Sequence, residues 1–207
     1  MTNRSITVLK FFAFPACLVP LGVLVYHGFT SNLGPDPVAT ITHTTGFWTL
    51  YFLLITLAIT PTRRLSSKLA WLIRFRRMLG LYAFFYGTLH LLTYVWLFSG
   101  WDVHAMVHDI AKRPFITMGM LGWVCLLALA ATSTTWAIRK MGGKRWQRLH
   151  RLVYVAAIAG VIHYWWIVKH GVLTPWKVTA VLAVLLLARV AWSVRQTMRK
   201  RKIAVHV

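Results

Sequence analysis

Apolar residues fill six long stretches of this chain, roughly 9–27, 44–61, 78–99, 115–137, 149–169 and 175–194, while charged residues collect in the connections between them. Each stretch is near the length of about 20 residues that a helix needs to cross a bilayer. None shows the two-residue alternation of a barrel strand. The pattern predicts an all-α integral membrane protein: a bundle of six transmembrane helices forming a single domain over residues 1–207. Prolines fall where a missing backbone donor does little harm, with Pro61 closing the second span, Pro114 opening the fourth and Pro175 opening the sixth. Gly34, Pro35, Asp36 and Pro37 read as a fixed turn. The first stretch holds Pro15 and Pro20 and lacks a small-x-small cleavage pattern, so an uncleaved span is favoured over a signal peptide. Gly80, Gly87, Gly119 and Gly122 lie inside spans and read as packing positions where helices approach closely. No internal repeat and no low-complexity segment stands out.

Charge orients this bundle. The 207 residues are 58% hydrophobic and carry a formal net charge of +21, yet the basic residues are unevenly spread. Twenty of the 24 Lys and Arg fall on one side if connections alternate across the membrane; Lys112, Arg113, Lys169 and Lys177 fall on the other, with all three acids, Asp36, Asp102 and Asp109. The positive-inside rule then makes both termini cytoplasmic and the acidic loops external, as expected in a bacterial inner membrane. The basic tail, Arg199 to Lys202, is suited to anionic lipid headgroups. Nucleic-acid binding is disfavoured, because no soluble module is present to carry it. Cys17 and Cys125 lie in different apolar stretches without metal-type spacing and read as small buried residues.

Every connection holds fewer than twenty residues, too few for a folded nucleotide- or flavin-binding domain. Gly142, Gly143 and Lys144 resemble a fragment of a phosphate loop whose remainder is missing. The chain thus has no nucleotide-oxidising domain of its own, and any electrons it handles must arrive from, and leave to, other molecules.

Two of the nine histidines are placed for chemistry by depth alone. His90 lies 13 residues past Arg77 and His163 lies 12 past Arg151. At roughly 1.5 Å per residue both imidazoles sit about 18 to 20 Å from the basic surface, slightly past the midplane of a slab about 30 Å thick. The third and fifth spans start on the same side, so equal offsets mean equal depth. Polar groups there are costly and mark functional sites, and an iron porphyrin ligated by both satisfies them while burying its own apolar ring. His150, between Arg148 and Arg151, leaves three readings open: ligand to a second haem, contact to a haem propionate or flavin phosphate, or a plain interfacial residue. On an ideal helix it stands about 140° around the axis from His163, so a shared face requires a deformed helix, with Gly160 as the candidate site. His43 opens the second span and reads as a helix-end residue, with a docking or quinone site as the other reading. His27, His104, His108, His170 and His206 lie at or beyond span ends and read as solvated or interfacial. The eleven tryptophans, Trp48, Trp101, Trp165 and Trp166 among them, suit interfacial belts.

Several stretches together carry a family resemblance. Gly34 to Val38, Ile59-Thr60-Pro61, Arg76 to Leu81 with Thr88 to Leu91, Arg113-Pro114-Phe115, Gly143 to Tyr154 and His163-Tyr164-Trp165 resemble, in order and over nearly the whole chain, the haem-binding membrane subunit of the bacterial protein-methionine-sulfoxide reductase system, the MsrQ or YedZ family. The resemblance implies a ferric-reductase-like transmembrane domain carrying b-type haem between the third and fifth spans, one haem expected and a second left open. It implies electron delivery from the quinone pool or a cytoplasmic flavin reductase to a periplasmic molybdopterin-containing methionine sulfoxide reductase catalytic subunit that repairs oxidised envelope proteins. FMN is implied by the resemblance alone. His90, His150 and His163 match the family's haem-associated histidines, with Arg77 as a further cofactor contact. Two-haem relatives such as the NADPH oxidases carry a histidine at the Arg77 level, and this chain does not.

The reading is thus a non-catalytic electron-transfer subunit, in which iron changes oxidation state without ligand exchange. No general acid, base or nucleophile is evident. One rival, a histidine-based proton or metal transporter, suffers from the lack of any glutamate in the chain and any aspartate in a span. Another is a structural membrane anchor for a periplasmic enzyme.

Overall fold

Residues 2–168 and 174–205 are described by a computed structural model, and all regular structure among them is helical. Lys169, His170 and His206, and the side chains of Lys200, Arg201 and Lys202, lie outside the described residues.

The first apolar stretch is two helices rather than one. Helix α1 (Asn3–Ala16) and helix α2 (Val19–Phe29) break at Cys17. Pro15 and Pro20 each remove a backbone donor, which leaves carbonyls without helical partners. Two tyrosines supply what the break removes. The Tyr82 hydroxyl donates to the Phe14 carbonyl at 2.8 Å and the Tyr86 hydroxyl to the Cys17 carbonyl at 2.9 Å, while the Leu21 amide donates to the Tyr86 oxygen at 3.2 Å.

Helix α3 (Pro37–Leu65) extends the expected second span at both ends. Asp36 caps it, accepting from the Ala39 amide at 2.9 Å, and Pro37 fills the first helical position. Pro61 does not close this helix, as its position suggested; it lies inside it. Its missing donor orphans the carbonyl four residues earlier, that of Leu57. Arg189 donates to that oxygen at 2.5 Å from another helix, and so the helix runs on for another turn.

A 3₁₀ segment over Ser67–Phe75 leads into helix α4 (Arg76–Thr93), which ends in a π-helical turn over Tyr94–Phe98. Helix α5 (Val103–Lys112) is a short surface helix capped by Asp102, and helix α6 (Pro114–Ala131) begins at Pro114 as expected. The expected fourth span stops early, because Thr134 caps a separate helix α7 (Thr135–Met141). Helix α8 (Gly143–Leu149) follows Gly142, whose φ of 75° is a glycine conformation. Helix α9 (Leu152–Ile167) and helix α10 (Thr174–Val205) complete the chain.

Among the described residues five helical segments are long and apolar enough to cross a membrane: Asn3–Phe29, Pro37–Leu65, Ser67–Phe98, Pro114–Ala131 and Pro175–Arg199. The expected fifth span differs. At 16 residues α9 is about 24 Å long, shorter than the hydrocarbon slab. It is nevertheless packed into the bundle, with Ala156, Ala157 and Ala159 nearly inaccessible.

Two antiparallel pairs build the core, α3 on α4 and α6 on α9, joined chiefly through α4 against α6 and α3 against α9. Small residues set the spacing. A methyl at Gly87 would stand 3.4 Å from Thr49 and Leu126, and one at Gly122 would stand 3.6 Å from the Ala156 carbonyl. In lipid such close packing, rather than release of water, holds helices together. The outer faces of α1 and α10 expose Phe11, Phe12, Val184, Leu187 and Val190, an apolar skin suited to acyl chains.

Candidate functional site

His90 and His163 meet at the centre of this arrangement. Their ring centres are 5.9 Å apart and their planes 84° apart. Each imidazole is held in the same way by the helix paired with its own. His90 on α4 places Nδ1 3.0 Å from the Thr42 carbonyl of α3, and His163 on α9 places Nδ1 2.6 Å from the Phe115 carbonyl of α6. Each rests on a glycine of that same partner helix. A methyl at Gly46 would come within 3.1 Å of the His90 ring, and one at Gly119 within 2.9 Å of the His163 ring.

The two seats are copies. Histidine and carbonyl are separated by 48 residues in both, and one constant offset along the chain carries Thr42, Gly46 and His90 onto Phe115, Gly119 and His163. The sequence therefore contains a two-fold internal correspondence after all, too diluted by lipid-facing residues to show as a repeat. Gly119 is more than the helix-packing position its place in a span suggested; like Gly46, it makes room for an imidazole.

The chemistry of this pair follows from its hydrogen bonds. An Nδ1 that donates to a carbonyl leaves Nε2 as a free lone-pair donor, the orienting contact that metal-bound histidines ordinarily make. Two imidazoles bound to one metal at about 2.0–2.1 Å hold their ring centres about 6 Å apart. The observed separation matches that spacing. Helices α4 and α9, which carry the two imidazoles, are not among the closely packed helix pairs of the bundle.

Arg76 at the start of α4 lies within electrostatic range of Tyr154 in the first turn of α9, and His90 meets His163 further along both, so the two helices run parallel. His150 terminates α8 and does not belong to α9. The ideal-helix angle to His163 consequently does not apply, because the chain breaks at His150 and Arg151 and not at Gly160. Gly160 lies within unbroken α9, where a methyl would stand 2.9 Å from Leu50. The His150 ring stacks on Trp146 at 3.8 Å, and its Nε2 lies 3.3 Å from the Thr132 hydroxyl. Trp146 donates to the Thr132 carbonyl at 2.9 Å, so the two rings together tie off the end of α6. Arg77 is exposed, whereas its neighbour Arg76 is drawn inward. Sequence depth could not separate these adjacent arginines, since only helical rotation does.

Of the other described histidines, His43 lies within electrostatic range of His90. His104 and His108 are exposed on α5, His43 is exposed and stacks on Phe47, and His27 lies 3.1 Å from the Asn32 carbonyl. Cys17 and Cys125 are both buried and free.

Residues 45–161, which take in Gly46, His90, Phe115 and Gly119 and end two residues before His163, match the family described as ferric reductase like transmembrane component. The chain is 49% identical over 202 residues to a protein from Herminiimonas arsenicoxydans named protein-methionine-sulfoxide reductase heme-binding subunit MsrQ, covering 97% of this chain and 92% of the relative. The chain belongs to the MsrQ family of ferric-reductase-like membrane proteins. MsrQ proteins of Ralstonia nicotianae, at 49% identity over 91% of this chain and 88% of the relative, and Bordetella pertussis, at 47% over 92% and 93%, carry the same description. The MsrQ match at this coverage includes every element that builds the paired seats, from α3 to α9.

Proposed function

We propose that this chain is a transmembrane electron relay carrying one b-type haem between His90 and His163. The observation that carries the reading is the pair of copied seats, each fixing an imidazole by Nδ1 and together holding the two ring centres 5.9 Å apart. The relatives' name as haem-binding subunits supports it. When bound, such a haem supplies one-electron chemistry at an iron that keeps both ligands.

The chain's own residues bind, orient and insulate. Thr42 and Phe115 fix the two tautomers through their carbonyls, and hydrogen bonding at Nδ1 raises the donor strength of Nε2. Gly46 and Gly119 set the depth of each ring. Tyr86, 1% exposed, and Leu53, 2% exposed, belong to the packed core that keeps water away.

The wider reading has six membrane-crossing helices with α9 as the short one, both termini in the cytoplasm and the bacterial inner membrane as location, supported by the concentration of basic residues at one end. Electrons enter from the quinone pool or a cytoplasmic flavin reductase. They leave to a periplasmic molybdopterin-containing methionine sulfoxide reductase catalytic subunit, a role consistent with the relatives' description as subunits of such a reductase. Iron and haem measured per polypeptide in the purified protein test the cofactor assignment: about one haem per chain is expected, and a colourless, iron-free preparation from haem-replete cells contradicts it.

A further inference from the structure

The basic end of the bundle holds positive charge that no side chain of the described residues neutralises. Arg189 reaches inward from α10, donating from Nη1 to the Tyr154 hydroxyl at 2.6 Å and from Nη2 to the Leu57 carbonyl at 2.5 Å, while its third nitrogen, Nε, is buried without a partner. Both acceptors are neutral. Arg76 is partly buried at the start of α4, with Arg189, Tyr154, Arg63 and His150 within electrostatic range. Thr60, one turn beyond Leu57 on α3, is 8% exposed and its hydroxyl also lacks a partner. The chain's three acids are all engaged at the other end. Asp36 and Asp102 cap helices, and Asp109 pairs with Arg113 at 3.0 Å.

Like charges gathered at partly buried positions repel strongly, because little water screens them. A bound anion removes that repulsion and takes up the idle donors. Guanidinium forks match the tetrahedral oxygens of phosphate better than any other common anion at a membrane boundary. We propose that Arg76 and Arg189, with Arg63 at the rim, form a site for one phosphate group at the inner membrane boundary. The headgroup of an anionic phospholipid is its most direct source, and a soluble phosphate offers the same chemistry. This site is independent of the electron-relay reading.

The test uses the whole haem-loaded protein, stripped of lipid in detergent and titrated with phosphatidylglycerol or phosphatidylcholine while native mass spectrometry counts retained lipids. One phosphatidylglycerol should be held preferentially over phosphatidylcholine. Arg76→Gln should weaken its retention about tenfold, as loss of a charge-assisted hydrogen bond does, and Arg139→Gln, at an exposed position outside the basic tail, should not. The haem spectrum of each variant reports folding. Should Arg76→Gln fail to fold, Arg76→Lys, which keeps charge and loses the fork, is expected to retain the lipid more weakly than wild type. If inorganic phosphate, and not phosphatidylglycerol, raises the unfolding temperature of wild type but not of an Arg76 variant, the site takes a soluble phosphate. Equal lipid retention by wild type and the Arg76 variants, or no effect of either probe, overturns the proposal.

Discussion

The imidazole of His163 lies so close to Gly119 that a methyl group on that α-carbon would stand 2.9 Å from the ring. Contacts that short do not persist, and the ring cannot retreat without stretching its 2.6 Å bond to the Phe115 carbonyl. Gly119→Ala should therefore turn the ring off its axis. Loss of an orienting contact of this kind lowers metal affinity by about 10- to 100-fold, and haem titration into the variant measures it. Gly143, with nothing within 4 Å of a methyl, is the control and should bind as wild type when changed to alanine.

Gly46→Ala makes the complementary case. Its methyl would stand 3.1 Å from His90, tight but less so than at Gly119. A smaller loss of haem affinity than for Gly119→Ala is expected in the same titration. The reverse order would show that the two seats are not equivalent in the way their geometry indicates.

Arg189 and Pro61 should prove energetically coupled. Arg189→Gln leaves the Leu57 carbonyl, on a residue with 0% exposure, without its donor, at a cost of about 1.5–3 kcal/mol for a charge-assisted bond. Pro61→Ala restores a helical donor to that same oxygen. In the Pro61→Ala background the Arg189 substitution should cost less by at least about 0.5 kcal/mol, read from thermal unfolding in detergent. Strict additivity would show that the guanidinium is not standing in for the missing amide.

Tyr86 binds the broken first helix through both its oxygen's roles, donating to Cys17 and accepting from Leu21. Tyr86→Phe keeps the ring and removes both bonds, which should destabilise the protein by about 1–3 kcal/mol. Limited proteolysis should then cut first near the break at Cys17 and Leu18. An unchanged cleavage pattern would assign the anchoring of α1 and α2 to packing alone.

The histidine pair was legible because depth is a linear quantity: counting from Arg77 and Arg151 placed His90 and His163 at one level, and parallel helices brought them together. The seats were not legible, because each is completed by a backbone carbonyl and a glycine 48 and 44 positions earlier in the chain, and neither signal has a side chain to recognise. Proline position gave the helix start at Pro114, but Pro37, read as part of a turn, opens α3, and Pro61 was misread because the distant Arg189 allows that helix to continue. Likewise the apolar run through residue 137 hid the end of α6, where the Thr134 cap and the Trp146 contact to Thr132 outweigh continuous hydrophobicity.

The pairing of His90 with His163 is tested most directly by the reduced-minus-oxidised absorption spectrum of the purified His163→Ala protein, with His104→Ala alongside as a folded control on the exposed α5. The account predicts that the b-type haem bands are nearly abolished in the first and intact in the second. Retention of the full spectrum by His163→Ala would contradict it.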